Sequence, residues 1–306
     1  MANFDDLLDN SAQSDSNGQQ SSQQYSKEEY AARKKDEREE LYSRLDATAM
    51  MVAAEPAAFR KYLDLQGRFG RYTAVNTLLV LSKNPEAEWL GDLSYWRKQK
   101  VFIKSNELKN PIKILEPGDQ YRREDGSVGT YYNIKQVYDI SQAERKILAP
   151  AQNKYDERQI FQALISKAPM KITGVAELPD GGGARTDPET GEIQVLRGME
   201  FPDTFRSVAH ELCYAEADRD ENVADPQFTA YCASYVLCKK YGVDTKDYNF
   251  DSAGHIFGGM DAQEVKQELS KIRDAADAIS GRMALQLNEI QKAAPSQDAK
   301  VRDEPR

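Results

Sequence analysis

The sequence predicts an α+β protein, and three observations carry that reading. Apolar residues recur at helical spacing in several long segments. Between them lie short β-type runs, two of which are joined through Asp125-Gly126 as a hairpin turn. Proline, glycine and mixed-charge stretches punctuate the chain between these blocks. At 306 residues and 34.5 kDa the chain has material for about two domains. It is 40% hydrophobic and 30% charged, enough apolar content for real cores. No apolar run approaches the roughly 18 residues that a membrane span needs.

Residues 1–26 are rich in Ser, Gln and Asp and contain no Lys or Arg, so we expect a disordered acidic tail and no signal peptide. From 27 to 55 the charges are dense and mixed. Leu41, Leu45 and Val52 give one thin apolar stripe, which predicts a long helix with one docked face. A second helix, 56–69, begins with proline in its first turn, where the missing N–H costs nothing. A third covers about 73–82 and stops at Asn84-Pro85. Short strands are expected at 101–104 and 112–115, then a hairpin over 120–140. The polar stretch 143–154, containing Pro150, is read as a linker. Beyond it we expect a helix at 156–167, strands at 171–178 and 192–196, and helices at 203–217 and 227–241. The last helix is the clearest: Asp261 as N-cap, Glu264 three later, then Val265, Leu269, Ile272, Ala276, Ile279, Met283, Leu287 and Ile290 at steps of three and four. A polar tail follows from 294.

Net charge is −9, but it is unevenly spread. From 56 to 140 there are 14 Lys+Arg against 10 Asp+Glu, leaving 27 against 40 elsewhere, a net of −13. Within 97–113 six basic residues face one acidic. Aromatic residues are interleaved with these cations, the mixture that single-strand binding uses: rings for bases, cations for backbone. Packing of the same rings in a small core is the alternative. His210-Glu211-Leu212-Cys213-Tyr214 is half of a zinc-peptidase motif, with tyrosine where the second histidine should stand. Gly181-Gly182-Gly183 matches no phosphate-binding pattern and reads as a flexible turn. Cys213, Cys232 and Cys238 form no disulfide framework and fit a reducing, cytoplasmic setting.

Residues 69–76 (FGRYTAVN), 84–87 (NPEA), Trp96, 101–104 (VFIK), 112–117 (IKILEP) and 137–142 (VYDISQ) together resemble the N-terminal domain of ArdC-like antirestriction proteins. Those belong to plasmids and conjugative elements, and their N-terminal domain binds single-stranded DNA. The C-terminal part resembles the zincin-like metallopeptidase domain that follows in that family. Where the family carries a third, glutamate ligand, residues 230–242 (AYCASYVLCKKYG) place Tyr231.

The resemblance implies a single-stranded-DNA-binding domain over 27–142 and a degenerate zincin-like domain over 155–293. DNA contacts are expected from Arg71, Tyr72, Asn76, Trp96, Lys98, Lys100, Lys104, Arg122 and Tyr132. His210 and Glu211 are expected as vestiges of a catalytic site whose metal positions read His210, Tyr214 and Tyr231. A lone imidazole will not hold zinc, so no cofactor and no peptidase activity are expected. Tyr214 and Tyr231 are expected to fill the vacated cavity together. Two other readings compete: an active zinc peptidase recruiting His255 or Glu216, and a protein-interaction module whose acidic C-terminal half mimics DNA.

Overall fold

The computed structural model describes residues 27–123, 125–145, 155–179 and 181–293. The expected acidic tail, the polar C-terminal tail and residues 146–154 of the expected linker lie outside the described residues. Helix α1 (Lys27–Ala54) begins in a first unit that ends at Glu40. Lys34–Glu37 at 3.0 Å and Lys35–Glu39 at 3.8 Å brace that stretch as exposed helical pairs.

From Leu41 onward the chain forms a second unit. There Leu41, Leu45, Ala49 and Val52 are all buried, on the predicted stripe. Helix α2 (Pro56–Arg68) starts on its proline. Thr73 caps α3 (Ala74–Lys83), its hydroxyl accepting the Asn76 N–H at 3.2 Å. A short strand β1 (Leu90–Gly91) and a six-residue helix α4 (Leu93–Lys98) follow, neither anticipated from the sequence. Strands β2 (Ile112–Arg122) and β3 (Val128–Asp139) form the predicted hairpin, and β1 adds to β3, giving the antiparallel order β1-β3-β2. The expected separate strand at 112–115 is the first third of β2. A register shift between Pro117 and Gln120 bends that strand, where proline can donate no ladder bond.

The strand expected at 101–104 is not formed. That stretch makes a single bridge, Ile103 to Ala143, because Lys100 stands at φ +56° and a turn follows Lys104, leaving no length for a ladder.

Helix α5 (Glu157–Ile165) leads into a second sheet of β4 (Ile172–Val175), β5 (Ala184–Thr186) and β6 (Ile193–Leu196), ordered β4-β6-β5. The glycine run that read as a flexible turn therefore feeds directly into β5. The chain passes close to Ser207 at Gly183, where a Cβ would stand 2.2 Å from the serine Oγ and 3.0 Å from its Cβ. Helices α6 (Phe201–Ala217), α7 (Pro226–Tyr241), α8 (Ala253–Ile256) and α9 (Ala262–Ala293) complete the fold. The α9 capping box is in place: Asp261 N–H donates to Glu264 at 2.7 Å, and Glu264 N–H donates to Asp261 at 2.9 Å.

One core runs from Leu41 to Leu287. Phe59 of α2 stacks on Phe228 of α7 at 5.8 Å, Tyr62 donates to the Leu269 carbonyl of α9 at 3.5 Å, and Tyr235 donates to Asp64 at 2.7 Å. A Cβ on Gly67 would meet Lys239 Cβ at 2.7 Å, so α2 and α7 approach closely at that position. The segment 143–154 thus connects two stretches of chain that share a core. A smaller, separate cluster of Trp96, Val101, Ile103, Tyr138, Ile140 and Ala143 sits under the basic loop.

Candidate functional site

Helix α4 and the loop after it carry the basic stretch. Trp96 is fully buried and its Nε1–H donates to the Tyr138 carbonyl at 3.0 Å, pinning the loop onto β3. With this ring inside, the neighbouring side chains are turned out. Phe102 is 62% exposed, and Arg97, Lys98, Lys100, Lys104 and Lys109 surround it in sequence, all exposed. Among the described residues Arg97, Lys98, Lys100 and Lys109 meet no carboxylate, whereas Lys61, Lys135, Lys171, Lys239, Lys266 and Arg273 each pair with one. Lys104 reaches the Ser141 carbonyl at 3.3 Å. Four cations without a carboxylate partner thus lie within 97–109, around an exposed ring; others, Arg122 and Arg185 among them, stand elsewhere.

Beside it lies a groove of about 820 Å³, within the range of ligand sites. Tyr42, Tyr72, Tyr95 and Tyr132 line it, with Arg71 at an exposed position. Phe69 stacks on Tyr72 at 5.8 Å, and burial pushes the Tyr72 hydroxyl above its ordinary pKa. Lys135 sits between Glu116 at 2.9 Å and Asp92 at 3.6 Å. The hydrogen bond to Glu116 raises its ammonium pKa above the usual value. Further along the hairpin, Tyr121 and Tyr131 pack at 4.3 Å, and Tyr131 is 53% exposed beside the exposed Arg122 and Arg123.

Two expected contact residues fail on geometry. Trp96 is core and has no face to offer. Asn76 is committed to packing: its amide donates to the Leu115 carbonyl and accepts the Leu115 N–H, both at 2.8 Å, fastening α3 to β2. Arg71, Tyr72, Lys98, Lys100, Lys104, Arg122 and Tyr132 all retain some exposure. Phe102, Arg97, Lys109 and Tyr131 belong to the same aromatic and basic stretch and are also exposed, although they were not among the expected contacts. The sequence shows cations crowded around two rings six residues apart but not which ring turns outward.

The His210 pocket is smaller, about 290 Å³, formed by α6, α7 and β5. His210 and Glu211 approach at 3.4 Å (Nδ1 to Oε1), while Glu211 Oε2 accepts from the Thr186 N–H and hydroxyl, both at 2.8 Å. Burial pushes the Glu211 carboxyl up, but the bonds from His210 and Thr186 outweigh it and hold it below its ordinary pKa.

The two tyrosines do not fill the pocket together. Tyr231 lines it, its hydroxyl accepting the Asn249 N–H at 2.8 Å; Tyr214 turns away to Asp218 at 3.4 Å. One helical turn separates His210 from Tyr214, yet the polar end of Tyr214 follows its own carboxylate partner. These donors do not fit a zinc ion: one imidazole is available, and both tyrosine hydroxyls are engaged elsewhere. Glu216 pairs with Arg219 at 2.9 Å, and His255 stands on α8, outside the pocket lining. Among the described residues no three His, Cys, Asp or Glu side chains gather closely enough to hold a metal. No described helix is long and apolar enough to cross a membrane.

No protein-family model matches the chain. It is 21% identical to an uncharacterized protein of Bacillus anthracis, pXO2-81, over 88% of this chain and 55% of that one. The chain thus spans about half the length of the curated relative it matches. Among solved structures it is similar to the antirestriction ArdC protein from R388 plasmid. The metal-free form gives a TM-score of 0.46 at 13% identity, over 70% of this chain and 84% of that one. The Mn(II)-bound form gives 0.45 at 16% identity, over 70% and 85%.

Proposed function

We propose that this chain binds single-stranded DNA for a plasmid or conjugative element, in an antirestriction-like role, and that its C-terminal half has a zincin-like ancestry without peptidase activity. The observation that carries the first part is the loop of unpaired cations around Phe102. Phosphates are bound by cations that have no competing carboxylate, and bases stack on rings that keep a free face. An exposed loop with one aromatic suits a strand whose bases are already unstacked better than a duplex whose bases are inside. The six short motifs shared with ArdC-like proteins support the same reading. The second part rests on the donor set: catalytic zinc takes three protein ligands and a water, and His210 stands alone. Without a metal-bound water, Glu211 has nothing to deprotonate.

The test uses the full chain, because α2 is packed on α7 and α9 and an isolated 27–142 fragment would expose Phe59 and Tyr62. Fluorescence anisotropy should give tighter binding to a labelled single strand than to the matching duplex. Equal or preferential binding of duplex would overturn the reading. Metal analysis of the purified protein should find well under one zinc per chain.

A further inference from the structure

The tyrosine-lined groove is not walled by the N-terminal half alone. Gln263, Lys266 and Ser270, from the first turns of α9, complete its lining. Charges inside it are balanced locally. Lys266 is bound to Asp46 at 2.7 Å, and Lys135 is shared by Glu116 and Asp92 at 2.9 and 3.6 Å. Only Arg71 is left over, at an exposed position. A phosphate gains little in such a groove, because every interior cation already has a carboxylate. An uncharged, flat, partly polar group gains a great deal: tyrosine faces, apolar walls from Val75, Leu90 and Pro117, and side-chain amide and hydroxyl groups on α9.

The free cations lie next door. Helix α4 begins at this groove, which Asp92 and Tyr95 line, and ends in Arg97 and Lys98 on the basic loop. Over six residues that is a rise of about 9 Å, close enough for one strand to reach both. The same α9 residues, Gln263, Lys266 and Ser270, also line a second depression of about 430 Å³ that continues to Gln267 and Asn222.

Resting on the basic loop as the phosphate path, we propose that the groove receives the bases of the same strand, and that helix α9 is therefore part of the nucleic-acid site. The C-terminal half then has a task that needs no metal: it closes the base groove.

The experiment compares two variants of the full chain on two probes, an oligothymidylate of about sixteen nucleotides and an abasic strand of equal length. Ser270→Trp fills the groove from α9 without touching an ion pair. Lys98→Ala/Lys100→Ala/Lys109→Ala strips the loop. Ser270→Trp should weaken oligothymidylate by about tenfold or more and leave the abasic strand unchanged, while the triple variant weakens both. Unchanged oligothymidylate binding by a folded Ser270→Trp overturns the inference and leaves the basic-loop reading standing. An unchanged triple variant overturns that reading instead. Should Ser270→Trp misfold, photocrosslinking of an iododeoxyuridine strand to the unmodified protein decides. Crosslinks to Tyr72, Tyr132 or the peptide around 263–270 support the groove; crosslinks confined to 97–109 refute it.

Discussion

The basic loop and the His210 pocket are built on opposite plans. In the loop, one buried ring, Trp96, anchors a short stretch of chain, and the polar side chains around it are left facing outward without carboxylate partners. In the pocket the polar groups answer one another: Glu211 is held by Thr186 and His210, Tyr231 by Asn249, and Arg206 by Asp247 at 2.7 Å. Unpaired surface cations carry no stabilising partner to lose when a polyanion arrives. A self-satisfied pocket must break its own hydrogen bonds before it can hold anything. The difference separates a surface with charge left over from a pocket whose polar groups are spent on one another.

That contrast is broken most severely by Trp96→Ala. It should remove about 3–5 kcal/mol, read as a fall in thermal or denaturant midpoint, because the ring is the largest member of the small cluster under the loop. DNA affinity should fall with it. A stable variant would show that the loop is positioned by something other than this ring. Phe102→Ala is the complementary change. The side chain is 62% exposed, so stability should hold while single-strand affinity drops by about 1–3 kcal/mol, measured by anisotropy. The reverse pattern would make Phe102 a packing residue.

On the pocket side the effects are smaller. Thr186→Val removes one donor to Glu211 and should cost about 1 kcal/mol of stability. The Glu211 carboxyl is held below its unfolded value of about 4.3. Its contribution is therefore complete above that pH and is lost as pH falls through the depressed folded value. Denaturation midpoints measured from neutral pH downward should decline less steeply in Glu211→Gln than in the unmodified chain.

Most of the helical frame was legible because its signals are local: a proline at the start of α2, the Thr73 cap, the Asp261–Glu264 box and the three–four spacing of α9. The short elements were not. Helix α4 has six residues and β5 has three, too few for a period to declare itself. The candidate contact set was half legible for a different reason. Composition identifies rings and cations, but Trp96 and Phe102 are both aromatic, and which goes inside depends on the turn at Lys100 and on the Tyr138 carbonyl 42 residues away. Asn76 sits inside an apolar run (AVNTLLV), a pattern that marks an amide fastening backbone as readily as one reading a ligand. That tyrosines stand where the resemblance implies metal ligands was visible directly in Tyr214 and Tyr231; the divergence of their hydroxyls depends on Asp218 and on the backbone of Asn249.

If the unpaired cations of 97–109 hold phosphates, single-strand binding must weaken steeply with salt. With about four phosphates neutralised, the log–log slope of affinity against salt should be near −3, at roughly −0.7 per contact. In Lys98→Ala/Lys100→Ala/Lys109→Ala it should relax to about −1. A slope near zero in the unmodified protein, or an unchanged slope in the triple variant, would mean that these cations do not hold the phosphates.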